Sequence, residues 1–339
     1  MFAQTELTPY SLCSLIQEMK HLKRLNLSHT KTNGFVAGVM SKTCKRLEHL
    51  NLDNCQSMFD DDVDALCQQL KPTLVYLNID NIDVSKKTLV KILLGCTSLR
   101  FLYASQLFSA IQELYKWAIR DILPEKSEKL ATVCQKSGKN RSEQENEPLK
   151  EIEFSGPLNL DTLYIDNVVL KSDLMDSLSY LCPKLKILQI NCLGSSSYFA
   201  YLNNFSSLSE LVLINPDSLL CYHFNGHLMN ALKDSIGAQL KLLHLVQIVD
   251  VNLRSIAKYC RNLVKLNVEF ICYYEPANDP NLTQSDLNAE VIDANIGINS
   301  LRFLAISNTN NKYEQVHLNM GQFKKDLKLL LSNAQVKFL

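Results

Sequence analysis

The chain has 339 residues, 46% of them hydrophobic, with only 10 Gly and 9 Pro, so it can bury a large core and carries few turn signals. Its 35 basic and 35 acidic side chains cancel, which excludes the global positive field favoured by nucleic acid or an anionic membrane surface. No window approaches the roughly 18 uninterrupted apolar residues of a spanning helix, and the opening "MFAQTELTPYSLCSLIQEMKHLKRL" has no apolar signal core. A soluble intracellular protein is expected, cytoplasmic, nuclear or both, with neither nucleic acid nor membrane as partner. The Asn-x-Ser/Thr matches at Asn26, Asn140, Asn204 and Asn281 have no export signal beside them and are read as unglycosylated.

In chain order, a helix "SLCSLIQEM" begins near Ser11 and is followed by the first of a series of hexamers with the pattern Leu-x-x-Leu-x-(apolar). They are "LKRLNL" at Leu22, "LEHLNL" at Leu47, "LVYLNI" at Leu74 and "LRFLYA" at Leu99. A polar stretch at about 122–148 reads as an insertion, and "LKEIEF" at Leu149 as a degenerate strand or a returning hairpin. The hexamers resume with "LDTLYI" at Leu160, "LKILQI" at Leu185, "LSELVL" at Leu208, "LKLLHL" at Leu240 and "LVKLNV" at Leu263. After a second, net acidic insertion at about 273–295 come "LRFLAI" at Leu301 and a terminal "NAQVKFL" that reads as the start of another strand.

Most anchor leucines are 23 to 27 residues apart, and each unit changes period partway through. The hexamer alternates like a short strand, whereas the following residues repeat at helical spacing. "DDDVDALCQQL" puts Val63, Leu66, Cys67 and Leu70 on one helix face, and "VNLRSIAKYC" does the same for Leu253, Ile256, Ala257 and Cys260. One strand and one helix cannot bury both apolar faces, so neighbouring units must stack. The prediction is an α/β leucine-rich-repeat solenoid, a horseshoe with parallel strands on the concave face and helices on the convex face. It forms one domain over residues 1–339 with about ten to eleven repeats.

Four of the eleven cysteines, Cys44, Cys96, Cys182 and Cys260, each precede an anchor leucine by three residues. They fill one repeated slot at the helix end, and Cys55 and Cys192 fill a second slot just after a strand. No C-x-x-C pair exists, so buried core thiols in a reducing compartment are expected rather than zinc ligands or disulfides, and no cofactor is expected. The run Asp60 to Asp62 lacks the alternating ligands and glycine turn of a calcium loop. It reads instead as carboxylates capping a helix N-terminus.

The unit "CKRLEHLNLDNCQSMFDDDVDALCQQL", residues 44–70, with "CTSLRFLYA", "CPKLKILQINC" and "CRNLVKLNV", resembles the cysteine-containing leucine-rich repeats of F-box proteins and the related antagonist-of-mitotic-exit-network group. The resemblance covers roughly residues 10–335 and is specific for repeat type. It implies a substrate-recognition or adaptor role in a cullin-type ubiquitin ligase. An F-box would precede the repeats, yet a repeat-like helix already begins near Ser11. The chain is therefore expected to be a fragment or to belong to the box-less group, and the uncapped C-terminus favours truncation. A ligase-independent scaffold or regulatory repeat protein is the alternative.

Residues between the anchor leucines are expected to line the concave face. There the aromatic group Tyr76, Phe101, Tyr103 and Tyr164 borders Ile187, Val212, Ile214, Leu242 and Val246, with His244 among them. These ten residues are the candidate site for a protein or peptide partner. An insertion folded over them would make them ordinary core instead. The Asn ladder at 26, 51, 78 and 267 reads as polar residues that keep the inner face wet. No Gly-x-Ser-x-Gly, phosphate loop, dinucleotide fingerprint or His-Glu-x-x-His occurs, so no catalytic residue is assigned.

Overall fold

A computed structural model describes residues 7–122, 156–165, 172–191, 196–215, 225–248, 253–269, 303–307 and 335–338. The chain is α/β, with parallel strands alternating with helices, and its contacts cluster into two units. The first comprises Met1–Asp161 with Tyr180–Cys182, and the second Thr162–Ser179 with Pro183–Leu339. Apart from Ile122 itself, the predicted insertion at about 122–148 lies outside the described residues, as do that at about 273–295 and the hexamer at Leu149.

In the first unit, strands β1 (Arg24–Asn26), β2 (His49–Asn51), β3 (Tyr76–Asn78) and β4 (Phe101–Tyr103) pair in parallel in sequence order. In the second, β5 (Thr162–Ile165), β6 (Ile187–Asn191), β7 (Glu210–Ile214), β8 (Leu242–Val246), β9 (Lys265–Glu269), β10 (Phe303–Ser307) and β11 (Gln335–Phe338) do the same. Strands β1 to β10 each begin two residues after the anchor leucine of a predicted hexamer. The eleventh is the strand expected in "NAQVKFL".

The strand position follows from burial. Leu22 opens the turn, while Leu25 and Leu27, Leu50 and Leu52, and Leu77 and Ile79 point into the core at 5% exposure or less. The side chains between them face the other way, as a period of two requires.

Three of the four strands of the first unit, β1 to β3, end in a repeated local device. The Oδ1 atoms of Asn26, Asn51 and Asn78 accept hydrogen bonds from the backbone N–H groups of Ser28, Asp53 and Asp80, each at 2.9 Å. One residue later the backbone turns left-handed at His29, Asn54 and Asn81, with φ of 58°, 56° and 55°. His and Asn are among the non-glycine residues that adopt this region most readily. Of the asparagines expected to solvate the inner face, Asn26, Asn51 and Asn78 therefore also bond the backbone where their strands end.

Helices α1 (Pro9–Gln17), α2 (Gly34–Thr43), α3 (Asp60–Leu70), α4 (Lys86–Gly95) and α5 (Leu107–Ile122) follow these turns. Thr8, Asn33 and Ser85 cap α1, α2 and α4 through their side-chain oxygens, each filling one of the donors left open at a helix start. On α3 the predicted stripe of Val63, Leu66, Cys67 and Leu70 is buried. Its aspartates divide their work. Asp62 accepts from the Phe59 N–H at 3.2 Å, as capping requires, whereas Asp60 accepts from the Ser85 N–H of the next repeat at 2.8 Å. Asp60 thus holds two repeats in register as well as complementing the helix dipole.

The repeated cysteine slot is where the sequence places it. Cys44 and Cys96 are the C-cap residues of α2 and α4, Cys182 follows the helix Ser172–Leu181, and Cys260 follows Leu253–Tyr259. All four are at most 2% exposed. Cys55 donates from Sγ to the Leu27 carbonyl at 3.1 Å. The described cysteines are all free and buried. Cys192 lies outside the described residues.

Burial pushes the Cys182 and Cys260 thiols up to about 12. A thiol that stays protonated when folded, but ionises near its ordinary value of about 8.5 when unfolded, leaves stability intact below that value. Stability is then lost as the pH climbs from there toward 12. The drop in urea-unfolding free energy between about pH 8 and about pH 10 should therefore be smaller in Cys260→Ala than in the wild-type chain. An equal drop in both would show that Cys260 titrates normally.

Candidate functional site

The strand face opposite the helices carries the residues between the anchors. In the first unit, parallel pairing places Arg24, His49, Tyr76 and Phe101 in one row across β1 to β4, and Asn26, Asn51, Asn78 and Tyr103 in the next. Neighbouring strands are about 4.8 Å apart, so side chains in a row touch. The His49 and Tyr76 rings stack with centroids 5.8 Å apart and planes at 24°. Tyr76 meets Phe101 at 6.3 Å and Tyr103 at 5.5 Å, both tilted. Tyr76, Phe101 and Tyr103 are thus brought together as predicted, as a half-buried ring cluster. His49, outside the predicted site, joins it.

Charge and hydrogen bonds frame this cluster at both strand ends. At the C-terminal edge, Asp53 accepts from Asn81 Nδ2 at 2.9 Å and approaches His29 Nε2 at 3.5 Å, while Ser105 Oγ donates to Asp80 at 2.5 Å. At the N-terminal edge, Lys23 pairs with Glu48 at 2.6 Å, and that hydrogen bond holds the Glu48 carboxyl below its usual range. Arg100 lies 5.9 Å from the centre of the Phe101 ring and forms an ion pair with Asp161. Cation–π and ion-pair contacts together fix that guanidinium beside the rings.

In the second unit, Tyr164 is 36% exposed on β5. Ile187, Val212, Ile214, Leu242, His244 and Val246 are half-buried on β6 to β8. The register sets Val212 beside His244 and Ile214 beside Val246, whereas Glu210 separates Ile187 from Leu242. His244 Nε2 contacts Glu269 Oε1 of β9 at 2.8 Å, so the imidazole reaches diagonally into the row of Val246 and Glu269 rather than standing bare. Asn267, beside His244, keeps a buried Oδ1 with no hydrogen bond. Its β9 strand runs on in the ladder through Glu269, unlike the asparagine-terminated strands of the first unit.

Ser28, just beyond β1, and Thr162, the first residue of β5, are 7% and 2% exposed, so neither offers a side chain to a partner. Among the described residues no group of three or more His, Cys, Asp or Glu could hold a metal. No described helix is long and apolar enough to cross a membrane.

The sequence reading passed over a second aromatic series. Tyr10, Phe35 and Phe59 are 78%, 57% and 63% exposed at the start of α1, α2 and α3. The Tyr10 and Phe35 rings lie 5.8 Å apart, and a parallel bridge between Asn33 and Ser57 aligns the segments bearing Phe35 and Phe59. Their spacing of 25 and 24 residues equals the repeat period, a signal that was available without coordinates. Compared with protein-family models the chain matches none, and compared with curated proteins it again matches none.

Proposed function

We propose that the chain is a leucine-rich-repeat solenoid of the cysteine-containing type and acts as a non-catalytic module that binds a protein or peptide partner on its strand face. The observation that carries this reading is the ring cluster of Tyr76, Phe101 and Tyr103, held half-buried on a rigid parallel sheet. Aromatic side chains fixed on regular strands give large contact area at little cost in side-chain freedom, and such residues dominate binding energy at interfaces. Repeat stacking extends that surface along successive strands. The repeat register at ten successive anchors supports the solenoid assignment.

The further role, substrate recognition or adaptor function in a cullin-type ubiquitin ligase, rests on the resemblance of residues 44–70 to F-box-associated repeats. Affinity purification of the full chain tests both levels. Tyr103→Ala combined with Leu242→Ala should cut partner recovery by at least about tenfold, as loss of interface hot spots does, while circular dichroism stays unchanged. Undiminished recovery would remove the strand-face reading. Cullin-ligase subunits among the wild-type partners would support the adaptor role. Their absence beside a strongly recovered partner would favour the ligase-independent scaffold.

A further inference from the structure

The chain's net charge of zero conceals an ordered separation of charge in the first unit. The turns leading into β1 and β2 carry Lys20, Lys23, Lys45 and Arg46 and β1 opens on Arg24, all exposed, with Arg100 in the corresponding turn before β4. Relative to the anchors Leu22 and Leu47, Lys20 and Lys45 share one slot of the repeat. The turns lie side by side. The Lys23 carbonyl accepts from Glu48 and His49 at 2.8 and 2.9 Å, that of Glu48 from Val75 and Tyr76 at 2.8 and 3.0 Å, and that of Val75 from Arg100 and Phe101 at 2.9 and 3.1 Å.

Along this edge Glu48 is committed to Lys23 and Asp161 to Arg100, and the exposed Glu18 precedes Lys20 in the same turn, so the acids neutralise only part of the positive charge. The other end of the same strands is acidic. Asp53 and Asp80 lie four residues beyond His49 and Tyr76, about 13 Å away at 3.3 Å per residue. The aromatic cluster lies between the two edges.

We infer that the partner of this face is an acidic polypeptide segment whose carboxylates seat on the basic edge formed by Lys20, Arg24, Lys45 and Arg46 and whose adjoining aromatic or apolar residue seats on Tyr76 and Tyr103. The inference rests on the strand-face reading and names its ligand class. Charge complementarity selects the occupant. A carboxylate-bearing segment meets cations at one edge and rings in the middle, and it can present a neutral or basic residue where Asp53 and Asp80 begin. A nucleic acid carries its charge uniformly and would bring phosphates against those aspartates as it crossed the face. The basic edge is solvent-exposed, so its contribution weakens once the screening length falls below about 10 Å.

The test uses the full chain and three fluorescein-labelled probes in anisotropy titrations. They are a glutamate-rich dodecapeptide ending in phenylalanine and tyrosine, its lysine-for-glutamate counterpart, and single-stranded oligothymidylate. The glutamate peptide should bind at least about tenfold tighter than the other two, weaken on raising salt from about 0.05 to about 0.3 M, and lose at least about tenfold in Lys45→Glu combined with Arg46→Glu. Equal or tighter binding of the lysine peptide or the oligonucleotide, or no binding of the glutamate peptide, overturns the inference. Sensitivity to Tyr103→Ala without sensitivity to the charge reversal keeps the strand-face reading and overturns the acidic partner. Sensitivity to the charge reversal alone keeps the acidic edge and overturns the role of the rings.

Discussion

Gly237→Ala should destabilise the chain by about 3 kcal/mol, the upper range for forcing extra atoms into a packed core. Gly237 is buried where the helix Asn225–Ala231 passes through the π turn Leu232–Ile236 into Gly237–Gln239. A Cβ added there would lie 2.3 Å from the Leu232 carbonyl oxygen and 3.0 Å from that of Tyr259. Both obstacles are backbone, so no side-chain rotation relieves them. Gly38 inside α2 is the control, because a Cβ there meets nothing within 4 Å. Gly38→Ala should be stabilising by roughly 0.5–1 kcal/mol through helix propensity. Urea unfolding of both variants checks the pair, and a neutral Gly237→Ala would show that the π turn is not packed this closely.

Leu50→Ala should cost about 2–5 kcal/mol, the range for emptying a fully buried leucine site. Leu50 is 0% exposed on β2, with Leu25 of β1 and Leu77 of β3 as its register partners. Rigid strands on both sides leave little room for collapse into the cavity. In a stacked repeat array each unit leans on its neighbours, so protection against amide exchange in β1 and β3 should fall together with that in β2. A loss confined to β2 would show that the repeats do not stabilise one another.

The elements were legible where one residue type recurs in a fixed slot. The Leu-x-(apolar) half of each hexamer located the strands because two apolar residues two apart share the buried face of a strand, and the helix face of α3 followed from helical spacing. Cys44, Cys96, Cys182 and Cys260 were legible as core for the same reason. Interactions between repeats were not legible. The spacing of Asp60 marks a helix start but gives no hint that it reaches the N–H of Ser85. Asn26, Asn51 and Asn78 read as surface polarity because their acceptor is a backbone N–H only two residues on, a bond that forms only once the chain turns.

At the candidate site, Tyr76, Phe101 and Tyr103 were legible from strand alternation. Lys45 and Arg46 stood outside the predicted site because a whole-chain charge of zero averages a basic edge with an acidic one. Local charge, counted slot by slot along the repeat, is the quantity that carries partner information in such a chain.

Site-specific photocrosslinking tests the central claim most directly. A benzophenone amino acid would replace Tyr103 on the strand face in one sample and Lys87, exposed on helix α4, in another. Each full-length protein would be irradiated with its affinity-purified partner. The strand-face account predicts a covalent adduct from position 103 and none from position 87. Adducts from position 87 with none from position 103 would contradict it.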